Sequence, residues 1–131
     1  MKIRIEHLGL PARDPAALKD WYVRVLGARV VFANEAPPPA YFLALPGGEP
    51  LLELYTATRS VPETADNGLV GWRHVALRVD SIEAAQAELA ARGVRFDGPV
   101  KPAGGGGRVL FFADPEGNLL HLVERPPGAF L

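Results

Sequence analysis

Apolar and polar residues alternate from residue 3 to residue 10, a period of two that predicts a strand with Leu8 and Leu10 on one face and Ile5, His7 and Gly9 on the other. The period then changes. Asp14 is placed to cap a helix with Pro15 at its first position, and Ala17, Leu18, Trp21, Tyr22 and Val25 recur at helical spacing up to Leu26, where Gly27 supplies a stop. A β-branched strand is expected over 28–33, the run Pro37-Pro38-Pro39 breaks it, and further strands are expected over 41–45 and 51–56 on either side of the turn at Pro46-Gly47-Gly48. Residues 57–70 show little periodicity and read as a linker.

The same order then starts again. Residues 72–79 alternate, with Val75, Leu77 and Val79 on one face and His74 and Ala76 on the other; Ser81 caps a helix running through Ala91, and Gly93 ends it. Short strands are expected over 94–96, 108–113 and 119–124, separated by the loop Gly104-Gly105-Gly106-Gly107 and the turn Asp114-Pro115-Glu116-Gly117. At an offset of 67 to 68 residues Leu10 matches Leu77, Phe42 matches Leu110 and Leu51-Leu52 matches Leu119-Leu120. The chain therefore reads as an α+β protein of two βαβββ copies in a single 1–131 domain: repeat one over about 1–56, the 57–70 linker, and repeat two over 71–125.

Four ionisable residues interrupt the apolar strands at matching places. His7 and His74 are 67 residues apart and Glu53 and His121 are 68 apart. Alternation puts Leu8, Leu10, Leu52, Leu54, Val75, Leu77, Leu120 and Leu122 on the faces the helices cover, and all four ionisable residues on the opposite faces. A buried carboxylate without a partner costs several kcal/mol, so Glu53 needs a cation, a hydrogen-bond network or a metal. Three imidazoles and a carboxylate suit zinc, nickel, iron(II), cobalt or manganese rather than calcium or magnesium. Tyr41, Tyr55, Trp72 and Arg108 fall on expected strands and are candidates to contact a substrate. The glycine run precedes a strand rather than a helix N-terminus, so a mobile lid or plain loop is expected there instead of a phosphate cradle.

Composition narrows the function classes. The 131 residues carry a net charge of −1, which gives no footprint for nucleic acid or an anionic membrane. No apolar run approaches the roughly 18 residues of a membrane span. The sequence has no cysteine, hence no disulfide framework and no thiolate metal ligand. A cytoplasmic location is the simplest expectation.

His7-Leu8-Gly9-Leu10, the helix ending Trp21-Tyr22 to Leu26-Gly27, the strand holding Glu53, His74-Val75-Ala76-Leu77 and the segment Phe112-Ala113-Asp114-Pro115-Glu116-Gly117-Asn118 together resemble the vicinal oxygen chelate superfamily. That superfamily includes glyoxalase I, methylmalonyl-CoA epimerase, extradiol dioxygenases, fosfomycin-resistance proteins and bleomycin resistance proteins. The resemblance implies curved mixed sheets around a central metal cavity, with His7, Glu53, His74 and His121 as ligands of a divalent transition metal, Glu53 also the catalytic base, and a homodimer. The nearest pattern is that of short bacterial glyoxalase I proteins, with His, Glu, His and Glu at these places; here His121 stands at the fourth. Positions similar to the family's glutathione-contacting Arg and Asn hold Pro11 and Ala57, which argues against glutathione. The implied activity is a lyase or isomerase that chelates vicinal oxygens of a small substrate and stabilises an enediolate or enolate. Alternatives are an extradiol dioxygenase using His7, His74 and Glu53, a fosfomycin-type thiol transferase, and a metal-free drug- or metabolite-binding protein.

Overall fold

The computed structural model describes residues 1–129, so the last two positions of the expected 1–131 domain lie outside the described residues. The chain divides into two compact units at Val61/Pro62, inside the expected linker. Each holds one βαβββ module. The first consists of β1 (His7–Ala12), α1 (Pro15–Leu26), β2 (Arg29–Asn34), β3 (Ala40–Leu45) and β4 (Gly48–Thr56), in a sheet of order β1-β4-β3-β2. The second consists of β5 (His74–Arg78), α2 (Ile82–Ala91), β6 (Phe96–Pro102), β7 (Arg108–Ala113) and β8 (Leu119–Glu124), in the order β5-β8-β7-β6. In both, the first strand runs parallel to the last and the other neighbours are antiparallel.

Local chemistry accounts for the helix ends. The Asp14 carboxylate accepts from the Ala17 N–H at 3.0 Å, Pro15 fills the first helical position, and Gly27 ends α1 in the left-handed region at φ 70°. Ser81 caps α2 through its hydroxyl, which accepts from the Ala84 N–H at 3.2 Å. Leu18 and Tyr22 of α1 pack with Ala12, Tyr41, Leu43, Leu52 and Leu54 into the core of the first unit. In the second unit Ile82 and Leu89 of α2, with Leu110, Phe112, Leu120 and Leu122 of the sheet, are buried.

Four strands differ from expectation: β4 begins at Gly48 rather than at 51, β5 begins at His74 rather than at 72, and β1 and β6 are shifted. β1 begins at His7 and not at residue 3, leaving Ile3 and Ile5 80% and 59% exposed. Its parallel ladder opens with the Leu51 N–H donating to the Glu6 carbonyl. The strand expected over 94–96 is instead Phe96–Pro102, because the Val94 N–H is taken by the Leu89 carbonyl at the end of α2. β6 tolerates Pro99 because it is an edge strand.

Register also corrects one match in the repeat. Phe42 is paired with Glu53 and Phe111 with His121, so the equivalent of Phe42 is Phe111 rather than Leu110. Among the described residues no helix is long and apolar enough to cross a membrane.

Candidate metal-binding half-sites

In the first unit His7 lies opposite Leu51, and Glu53 lies opposite Gly9 two residues further along β1. The two side chains are thus diagonal neighbours on one sheet face. His7 Nε2 is 3.4 Å from Glu53 Oε2, and its Nδ1 is 3.0 Å from Glu6 Oε1. Phe42 meets the His7 ring edge-on, with centroids 5.3 Å apart.

The second unit repeats this diagonal. His74 lies opposite Leu119, and His121 lies opposite Ala76. The two rings are 4.7 Å apart at 73°. His74 Nδ1 is 2.8 Å from Asn67 Oδ1. His121 is buried, and neither of its ring nitrogens has a hydrogen-bond partner. Burial holds its pKa below the ordinary imidazole value, and the neighbouring His74 and Arg125 push it the same way. A neutral imidazole can donate from one nitrogen and accept at the other, so this ring leaves both capacities unused in a place where unpaired polar atoms are costly.

The residues present fit a borderline divalent ion. An unpaired buried imidazole beside a second imidazole, and an imidazole nitrogen facing a carboxylate oxygen, are donor pairs of the kind such ions take. Each unit holds one such pair. Among the described residues no group of three or more His, Cys, Asp or Glu is arranged so that it could hold a metal ion.

The four expected substrate contacts divide. Tyr55 shares the Glu53 face, and its ring lies over Gly9: a Cβ added there would be 3.3 Å from Tyr55 Cε1 and 3.5 Å from its hydroxyl. Tyr41 does not share that face. Paired with Leu54, it points to the helix side, where it is buried, donates to Glu35 Oε2 at 2.7 Å and lies under Lys19. Its hydroxyl pKa is raised, first by that hydrogen bond. Trp72 precedes β5 instead of lying on it and is 93% exposed. Arg108 alternates onto the face of Leu110 and Phe112, toward α2, and bridges Glu83 (2.6 and 2.9 Å) to Glu124 (3.0 and 2.9 Å). It is a link between helix and strand.

The glycine run forms a loop between β6 and β7 that a side chain ties to the end of β8. Arg125 Nη1 donates to the Gly104 and Gly106 carbonyls at 2.5 Å each. Those carbonyls turn toward a cation, the reverse of a phosphate cradle.

Sequence periodicity missed Glu6 and Asn67, which touch the histidines, and Phe111, which stacks on His121. Phe111 was open to discovery from strand register. Asn67 sits in a turn whose sequence, Asp66-Asn67-Gly68, announces a turn but not what it approaches.

Residues 4–122 match the Glyoxalase/Bleomycin resistance protein/Dioxygenase superfamily. The chain is 31% identical over 127 residues to a lactoylglutathione lyase of Escherichia coli O157:H7, covering 93% of each chain. A glyoxalase family protein from Enterococcus faecalis superposes with a TM-score of 0.78 at 30% identity, over 92% of this chain and 97% of that one. TnmS3, an antibiotic binding protein from Streptomyces sp. CB03234, superposes with a TM-score of 0.75 at 26% identity, over 95% and 98%. With its paired βαβββ modules and this full-length similarity, the chain belongs to the glyoxalase/bleomycin resistance protein/dioxygenase superfamily, the vicinal oxygen chelate fold.

Proposed function

We propose that the protein is a divalent-metal-dependent, glyoxalase-like lyase or isomerase acting on a small substrate with adjacent oxygens. The observation that carries this reading is His121, a buried imidazole beside His74 whose two nitrogens have no partner. In this reading His7, Glu53, His74 and His121 hold a zinc, nickel, iron(II), cobalt or manganese ion, and the active protein is a homodimer. Such an ion, when bound, supplies Lewis-acid stabilisation to oxyanions that develop on the substrate. Glu53 takes the proton from the carbon beside the substrate carbonyl, since it is the one carboxylate of the four and the histidines serve as ligands. Tyr55 lines the same face and orients the substrate. Similarity to a lactoylglutathione lyase favours this class of reaction, while Pro11 and Ala57 argue for a substrate other than a glutathione adduct.

Metal analysis combined with isotope exchange tests the reading. Protein purified without added ions should carry about one transition ion per chain, and His7→Ala should lose it. A 2-hydroxy or 2-oxo substrate should take up deuterium next to its carbonyl, and Glu53→Gln should abolish exchange while retaining most of the metal. Oxygen consumption with catechols under iron(II) would replace this reading with ring cleavage.

Similarity to TnmS3 favours a second reading, in which the protein binds a drug or metabolite without transforming it. Ligand affinity that survives complete metal removal is its signature.

A further inference from the structure

We infer that Glu6 and Asn67 are positioning residues, each fixing the proton of one histidine on Nδ1 so that His7 and His74 both present an Nε2 lone pair. The metal role of those lone pairs rests on the proposed function; the tautomers themselves do not. A carboxylate can only accept, so a 3.0 Å contact between Glu6 Oε1 and His7 Nδ1 requires the hydrogen on Nδ1. Asn67 turns its Oδ1, an amide oxygen and an acceptor, toward His74 Nδ1 at 2.8 Å, and in that orientation it calls for the hydrogen on Nδ1. A neutral imidazole has one N–H, so both rings are left with an unprotonated Nε2.

Two unrelated local structures reach this result. Glu6 is the neighbour of His7, and its carbonyl is held by the Leu51 N–H at 2.8 Å, where the β1–β4 ladder opens. Asn67 comes from the expected linker, seven residues before His74. There Asp66 builds a turn, its carboxylate accepting from the Gly68 N–H at 2.8 Å and its own N–H donating to the Glu63 carbonyl at 2.9 Å. That turn carries Asn67 to β5. In the first unit Nε2 faces Glu53 Oε2 at 3.4 Å; with the hydrogen on Nδ1 these are two acceptors facing one another, an arrangement a cation relieves. A partner on the far nitrogen also makes an imidazole a better donor, and loss of such partners typically costs 10 to 100-fold in metal affinity.

Long-range proton–nitrogen correlation on labelled, metal-free protein, above the imidazole pKa, reads each tautomer directly. Wild type should show His7 and His74 protonated at Nδ1. Asn67→Ala should move the His74 proton toward Nε2 and leave His7 alone; Glu6→Ala should do the converse; Asn67→Asp should restore the wild-type tautomer. Cobalt titration should then show roughly 10 to 100-fold weaker binding in either alanine variant and recovery in Asn67→Asp. An Nε2–H tautomer in wild type, or one unmoved by the alanine variants in a spectrum that is otherwise folded, overturns the inference. Tautomers that respond as expected in a wild-type protein that does not bind cobalt would uphold the positioning and sink the metal centre instead.

Discussion

The Phe111 ring lies flat on His121, with centroids 4.8 Å apart and planes at 20°, so one face of the imidazole is closed by an aromatic ring while its edge meets His74. A charged imidazolium in such a place loses hydration. The folded-state pKa of His121 is accordingly lower than its ordinary 6.5, and the unfolded chain binds the proton more readily. The contribution to stability is therefore complete above about pH 6.5 and is lost progressively as the pH falls from there toward the depressed folded value. Urea denaturation of metal-free protein between pH 5 and 7 should show this slope, and His121→Phe should flatten it.

Gly9 and Tyr55 should be energetically coupled. Gly9 has no left-handed backbone; what it provides is room, since an added Cβ would lie 3.3 Å from the Tyr55 ring. In a Tyr55→Ala background Gly9→Ala should stabilise the protein by about 0.5–1 kcal/mol through the usual gain in a strand. With Tyr55 present the gain should vanish, giving a coupling of about 0.5–1 kcal/mol in a double-mutant cycle followed by urea melts.

The glycine loop should respond very unevenly to alanine. At Gly107 (φ 94°) an added Cβ would lie 2.0 Å from the Glu124 carbonyl oxygen, whereas at Gly104 nothing lies within 4 Å. Gly107→Ala should cost at least about 2 kcal/mol, because the backbone must move. Gly104→Ala should stay within about 0.5 kcal/mol of wild type in the same thermal unfolding measurement.

Arg108→Met should lower Tm, more at low salt than at high salt, by removing the bridge from Glu83 to Glu124. It should leave metal content and ligand affinity unchanged. A loss of metal or ligand binding would return Arg108 to the list of residues that contact substrate.

The modules themselves were legible because α1 and α2 obey capping rules and because β4 alternates around Glu53, whereas β8 is buried on both faces and shows its facing only through His121. The pairing of His7 with Glu53 and of His74 with His121 on one face was legible because period two fixes which face a strand residue takes. Tyr41 and Arg108 were misread although that same rule decides them: Tyr41 is one residue from Phe42, and Arg108 is an odd number of positions from Phe111. Counting parity along β3 and β7 would have sent both to the helix side. Trp72 was misread because β5 starts late, at the point where its ladder with β8 begins. Asn67 could not have been found by periodicity, as a hydrogen bond from a turn to a strand has no repeat to betray it.

The offset between equivalent residues is not constant. It is 67 for His7 and His74, 69 for Phe42 and Phe111, and 68 for Glu53 and His121, although the strand pairing around them is the same. Insertions and deletions have been absorbed by connections while the ladders kept their register. The position of the ionisable side chain is thus set by the sheet and not by its own identity. One copy carries a carboxylate, Glu53, and the other an imidazole, His121, at the same lattice point, so the chemistry presented there can be exchanged by a single substitution that leaves the strand pairing untouched.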